Sequence, residues 1–251
     1  MGRAFEFRKE RKMKRWGHMA RVFTKLGKEI TIAVKSGGPD VTGNPRLRAL
    51  MAEARSESMP KENIERAIKR ATDKSLGDIK ELVYEGYGPH GIAYLVEAAT
   101  DNNTRTVANV RSYFTKCGGS LGTNGSVAFM FDHKCVFRIK ESEGMDIDEL
   151  QLSLCECDDD PEVFEELEVD QEDNETKSVV IYGAYESYGA IQKYIEDNGF
   201  ELISGGFERI PNVDLKEVSD EQRVALDKLT NLLEEDEDVT NVYSTLKPGE
   251  E

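Results

Sequence analysis

Seven lysine and arginine side chains fall within the first fifteen residues: Arg3, Arg8, Lys9, Arg11, Lys12, Lys14 and Arg15. Cations at that density neutralise phosphates, and they gain affinity by releasing counterions condensed on a nucleic acid. Phe5, Phe7 and Trp16 lie within or beside the same stretch. Their rings can stack on unpaired bases; Phe5 and Phe7 can equally anchor the segment on its own protein. Lys25, Lys28, Arg46, Arg48, Lys61, Arg66 and Lys69 continue the basic series. Together these are the candidate nucleic-acid contacts.

Other chemistries find less support. Gly86-Tyr-Gly-Pro-His-Gly91 matches the letters of a dinucleotide fingerprint, but that loop must open a helix whose N-terminus faces the pyrophosphate. Here Ile92-Ala-Tyr-Leu-Val-Glu-Ala98 follows and reads as a strand, so a tight inter-strand turn is expected. The Gly-rich run Gly118–Ser126 lacks the Gly-Lys-[Ser/Thr] ending of a P-loop. It reads as a helix end passing into a loop that could touch a partner backbone, in preference to a phosphate cradle. Cys117, Cys135, Cys155 and Cys157 match no zinc or disulfide spacing, and His18, His90 and His133 have no orienting carboxylate or nucleophile at readable spacing. Structural thiols, no metal, no cofactor and no catalytic residues are expected.

The net charge of −16 hides a division. Residues 1–80 hold 20 Lys+Arg against 10 Asp+Glu, a surplus of +10, while residues 81–251 carry −26. Such asymmetry marks one region that binds a polyanion and another that repels it. No apolar run approaches the roughly 20 residues that span a bilayer. The basic start lacks both a secretory apolar core and the Ser-rich, acid-poor character of a transit peptide. A cytoplasmic protein without membrane contact is expected.

The elements that must position these side chains change character near residue 80. Before it, apolar residues at steps of three and four predict helices from His18 to about Val34, after Asn44-Pro45, and after Pro60. The segment before His18 has little such periodicity and reads as an arm ordered by a partner. After residue 80, strands are expected at 82–85, 92–99, 127–131, 136–139, 179–182, 200–204 and 239–245. Helices are expected at 104–117, 146–155, 186–198 and from the capping box Ser219-Asp-Glu-Gln222 to Leu233. Asp158–Asp160 and Glu234–Asp238 read as solvated acidic loops. This order suits an α+β fold: three short amphipathic helices bundled together, then antiparallel sheets with helices on one side.

Long motifs resemble the YebC family. They are Phe23-Thr-Lys-Leu-Gly-Lys-Glu-Ile-Thr-Ile-Ala-Val34, Gly37-Gly-Pro-Asp40, Asn44-Pro-Arg-Leu-Arg48 and Asn63-Ile-Glu-Arg-Ala-Ile-Lys69, followed by Tyr84-Glu-Gly-Tyr-Gly-Pro89, Asp101-Asn-Asn-Thr-Arg-Thr-Val107, the loop Gly118–Val127 and Asn241-Val-Tyr243. They occur in order along nearly the whole chain. The start departs from the Gly-His-Ser-Lys-Trp segment of many members, with Gly2-Arg-Ala-Phe-Glu-Phe-Arg8 in its place and Trp16 further on.

The resemblance implies an N-terminal three-helix bundle over 1–80 and two ferredoxin-like α+β domains. One is built from 81–135 plus 212–251; the other, 136–211, is inserted into it. It also carries a nucleic-acid role to Lys25, Lys28, Arg46, Arg48, Met59, Pro60, Lys61, Arg66 and Lys69. The expected function is non-catalytic regulation of gene expression. The favoured form is a ribosome-associated translation factor that relieves stalling by contacting ribosomal or transfer RNA; the alternative is a transcriptional regulator bound to promoter DNA. A monomer is expected. Substituting Lys25, Arg46, Arg48 and Lys69 together is expected to weaken polyanion binding while leaving the fold intact.

Overall fold

The computed structural model describes residues 3–73, 79–142, 144–155, 168–171 and 178–248, with the backbone alone for 3–18 and 168–171. The chain divides into two compact units. The first comprises residues up to Ile32, Met59–Phe129 and Val213 onward; the second comprises Ala33–Ser58 and Met130–Asn212.

The first helix, α1 (Arg3–Gly37), begins well before His18, so the basic segment is helical backbone in this structure. Gly38 ends it with φ +84°, its N–H donating to Val34 O at 2.8 Å, as expected for a left-handed C-terminal residue. Asn44 then caps α2 (Pro45–Ser56). Its Oδ1 accepts from Leu47 N at 3.0 Å, while Nδ2 donates to Ala33 O and Gly38 O at 2.8 and 2.9 Å. One buried side chain thus ends one helix and starts the next.

In the first unit α3 (Lys61–Thr72) buries Ile64 and Ala67, and Thr31 Oγ1 donates to Ala67 O at 3.1 Å, tying α3 to α1. A four-stranded antiparallel sheet follows from β1 (Lys80–Tyr87), β2 (Ala93–Thr100), β3 (Ser120–Leu121) and β8 (Val239–Ser244), in the order β3-β1-β2-β8. Ile92 beside β2, and Tyr94 and Val96 within it, pack with Val110 and Phe114 of α4 (Asn103–Lys116) and with Leu226, Leu229 and Leu233 of α7 (Asp220–Glu234). The Ser219–Gln222 capping box forms as expected.

The strand expected at 127–131 is instead a 3-10 turn at Ala128–Met130 leading into β4 (Phe131–Lys140). The cause is Glu85, whose carboxylate takes the amides that a neighbouring strand would have used: Gly125 at 2.6 Å, Val127 at 2.7 Å and Ala128 at 2.8 Å.

The second unit runs β4, α5 (Ile147–Cys155), β5 (Glu168–Gln171), β6 (Ser178–Ala184), α6 (Tyr188–Asp197) and β7 (Leu202–Pro211), with antiparallel order β5-β6-β4-β7. That βαββαβ order is the ferredoxin-like one. Phe137, Ile139, Val179 and Ile181 face Leu150, Leu154, Ile191 and Ile195 in its core. The acidic tripeptide Asp158–Asp160 and Cys157 lie outside the described residues.

Edge strand β7 is covered by α2, whose Ala49 joins the same core. Gly205 permits this approach: a Cβ there would stand 2.8 Å from the Phe137 ring and 3.2 Å from Ala49 Cβ. Phe137 is fully buried and has nowhere to move. Gly205→Ala is therefore expected to cost about 1–3 kcal/mol. Gly206→Ala, with no atom within 4 Å of the new Cβ, is expected to stay within about 0.5 kcal/mol. Denaturation midpoints of the two variants check this; equal effects would contradict the packing described.

Candidate nucleic-acid interface

The basic candidates fall into four groups. Arg3, Arg8, Lys9, Arg11, Lys12, Lys14 and Arg15 occupy the first turns of α1, and their side chains lie outside the described residues. Lys61, Arg66 and Lys69 are exposed together on α3, opposite its buried Ile64 and Ala67. Lys61 lies 3.5 Å from Glu65, a pair too exposed to hold either side chain in place. Arg66 and Lys69 have no side-chain partner among the described residues. Arg70, next on this helix, is half-buried with its Nε unpartnered among the described residues.

Lys25 and Lys28 are engaged internally. Lys25 Nζ donates to Glu234 O at 2.9 Å, at the C-terminal end of α7, where unpaired carbonyls and the helix dipole favour a cation. Burial pulls its pKa below the usual lysine range, against the opposing influence of Glu234. Lys28 Nζ donates to Glu237 O at 2.7 Å and to Asp238 Oδ1 at 2.8 Å. Asp238 Oδ2 also accepts from Arg105 Nη2 at 2.7 Å, Arg105 Nε at 3.1 Å and Thr106 Oγ1 at 2.9 Å. Burial alone would raise this carboxyl, but the donors from Lys28, Arg105 and Thr106 outweigh it and hold the pKa at about 2.

The expected solvated loop at Glu234–Asp238 is thereby corrected in part: Asp236 and Asp238 are buried. Asp236 accepts from Tyr113 Oη at 2.9 Å and Asn109 Nδ2 at 3.2 Å, and burial with this bond pushes the Tyr113 phenol up to about 12. A cleft of about 510 Å³ beside this network carries Arg21 and Lys25 against Glu234 and Glu235. Its charges offset one another, which suits no polyanion.

Arg46 and Arg48 belong to the second unit. Arg48 Nε pairs with Glu196 Oε1 at 2.8 Å, and its Nη1 donates to Val41 O and Thr42 O at 3.0 and 2.6 Å. Arg46 is half-buried, close enough to Tyr188 to act on its phenol. Substituting Lys25, Arg46, Arg48 and Lys69 together should therefore also cost stability. Of the resemblance-derived positions, Met59 is buried and Pro60 is the exposed N-cap residue of α3.

Both glycine motifs are structural. Gly86–Gly91 turns between β1 and β2, with His90 at φ 62° and Gly91 at φ 72°. The anion held by the Gly118–Ser126 loop is the buried Glu85 carboxylate. Burial raises its pKa, but the backbone amides bring it below the ordinary value. Cys117 and Cys135 are buried, and burial pushes the Cys135 thiol up to about 12. Among the described residues no three His, Cys, Asp or Glu side chains cluster to hold a metal. No helix among them is long and apolar enough to cross a membrane.

A family model described as the TACO1/YebC protein N-terminal domain matches residues 3–74, and one described as the TACO1/YebC second and third domain matches 79–246. The chain belongs to the TACO1/YebC family. Among TACO1/YebC relatives, a protein of Parabacteroides distasonis named probable transcriptional regulatory protein is 61% identical, covering 98% of this chain and 97% of the relative. One of the same name from Porphyromonas gingivalis is 59% identical over 100% of this chain and 99% of the relative. The crystal structure of a conserved hypothetical protein from Aquifex aeolicus matches with TM-score 0.76 at 32% identity, covering 92% of this chain and 91% of that one.

The TACO1/YebC motif at 101–107 has a physical role in this chain. Asn102 caps α4 by accepting from Arg105 N at 3.1 Å, and Arg105 and Thr106 bind Asp238. The closing Asn241 and Tyr243 both donate to Glu97 Oε2, at 3.2 and 3.4 Å. Periodicity and charge counting pass over Asp238 and Glu85, because each looks like one more surface acid until its donors are known.

Asp238→Asn is expected to cost about 2–3 kcal/mol, because it leaves Lys28 and Arg105 without their shared anion. The folded pKa lies below the ordinary 3.8. The charge therefore stabilises fully above about pH 4, and that stabilisation is lost as pH falls towards 2. Stability curves of the two proteins should accordingly converge between pH 4 and pH 2; a gap independent of pH would contradict the assignment.

Proposed function

We propose that this chain is a non-catalytic regulator of gene expression that binds nucleic acid through its basic N-terminal segment, acting on the ribosome as a translation factor. The observation that carries this is the sorting of cations. Lys25 and Lys28 are bound to the protein, whereas Lys61, Arg66 and Lys69 stand exposed on α3. They lie in a segment of charge +10 within a chain of net −16. The acidic remainder repels phosphate and turns the basic end towards it. Recognition through phosphates and shape suits structured RNA, whose deep major groove side chains do not read. Ribosomal or transfer RNA is the target of this reading, and relief of stalled peptide synthesis is its function.

A second reading, a transcriptional regulator on promoter DNA, is favoured by the names that the relatives carry. Base preference separates the two, since phosphate contacts carry no sequence information. A promoter preference that survives competitor DNA supports transcription. Salt-sensitive co-sedimentation with ribosomes stalled on a difficult message supports translation, and its absence at low salt rejects it.

Lys61→Ala, Arg66→Ala and Lys69→Ala combined should leave the unfolding midpoint within about 1 kcal/mol of the parent, since these side chains are exposed. The slope of log affinity against log salt should fall by about 2–3 for three lost phosphate contacts. Filter binding across a salt series reads this, and an unchanged slope and affinity would remove α3 from the interface.

A further inference from the structure

The second unit carries an aromatic cluster that the proposed function has not used. Tyr185, in the 3-10 turn after β6, lies 4.5 Å from the His133 ring at 33° and 4.6 Å from the Phe207 ring at 35°. Phe207 continues the series to Tyr188 at 4.8 Å, and Tyr188 to Phe137 at 4.8 Å. The inner rings are seated: Phe137 is fully buried and Tyr188 nearly so. The outer ring is not. Tyr185 is 45% exposed although it already covers two rings with one side. One turn further on, Gly189 has no atom within 4 Å of a would-be Cβ, so the surface at that position is open.

Arginines lie on the elements around the cluster. Strand register sets Arg209 on β7 directly opposite His133 on β4. Arg46 on α2 stands near Tyr188, and Glu186 follows Tyr185 in the chain. An exposed ring seated on further rings, with arginines on the neighbouring strand and helix, is an arrangement that can stack a base.

We propose that Tyr185, supported by His133 and Phe207, is a stacking platform for an unpaired base of single-stranded RNA. This rests on the nucleic-acid-binding reading and adds to it a contact of a different physical kind, one that depends on a base and little on salt. The platform sits on the acidic part of the chain, where phosphate attraction alone would place no RNA. It accounts for an exposed tyrosine held in a fixed orientation by two further rings.

The test uses the full chain, a fluorescent short oligoadenylate, and the same oligomer with abasic sites. The parent should bind the oligoadenylate, and Tyr185→Ala should weaken it about tenfold, as expected for one lost stacked base. The salt slope should not change, because no phosphate contact is removed. Tyr185→Phe should restore affinity, and the abasic oligomer should not distinguish the parent from Tyr185→Ala. Unchanged affinity in Tyr185→Ala, with its unfolding midpoint intact, overturns the platform while the basic interface stands. Failure of the parent to bind the oligoadenylate at low salt overturns the platform, while salt-sensitive co-sedimentation with ribosomes tests the basic interface separately. If Phe207→Ala, folded, binds as the parent does, the supporting rings have no role and the proposal falls.

Discussion

The carboxylate of Asp238 is the interaction on which the first unit depends. It lies just past α7, yet it gathers Lys28 from α1, and Arg105 and Thr106 from α4. Two helices far apart in sequence meet at its two oxygen atoms. A buried charge in this position would be costly alone, and each donor offsets part of that cost. The donors hold the group ionised, and in turn the ionised group fixes where the turn of α1 around Lys28 lies within the unit.

That constraint sorts the basic residues. A lysine on the face of α1 that meets α7 is drawn to the helix end and the acids beyond it, and is no longer free for phosphate. On the outer face of α3, Lys61 meets only the exposed Glu65, and Arg66 and Lys69 have no side-chain partner among the described residues. The same rule governs Arg48, bound to Glu196 and to two carbonyls of the preceding turn. Net charge per segment therefore overstates the cations available to a ligand, while exposed position on α3 identifies those that remain.

Much of the architecture was legible in the sequence because periodicity reports burial directly. Leu26, Ile30, Ala33 and Val34 mark the buried side of α1, and Ser219-Asp-Glu-Gln222 forms the capping box of α7. The extent of α1 before His18 was not legible, since a charged stretch without an apolar stripe carries no signal of what orders it. Strand β5, the tetrapeptide Glu168–Gln171, was missed for a related reason: it has only one apolar residue. The turn at Ala128–Met130 differs from the expected strand because the amides entering it, of Val127 and Ala128, go to the side chain of Glu85, 42 and 43 residues earlier in the chain. Of the candidate interface, residue types were readable and their commitments were not. Whether Lys28 faces a phosphate or Asp238 is decided by tertiary placement.

The central claim is that exposed cations of the N-terminal segment hold RNA. Crosslinking in cells, followed by sequencing of the attached nucleic acid and mapping of the joined peptides, tests it most directly. The account predicts ribosomal or transfer RNA attached to peptides from the start of α1 and from α3, with none attached through Lys28. Promoter DNA on those peptides, or no nucleic acid on them at all, would contradict it.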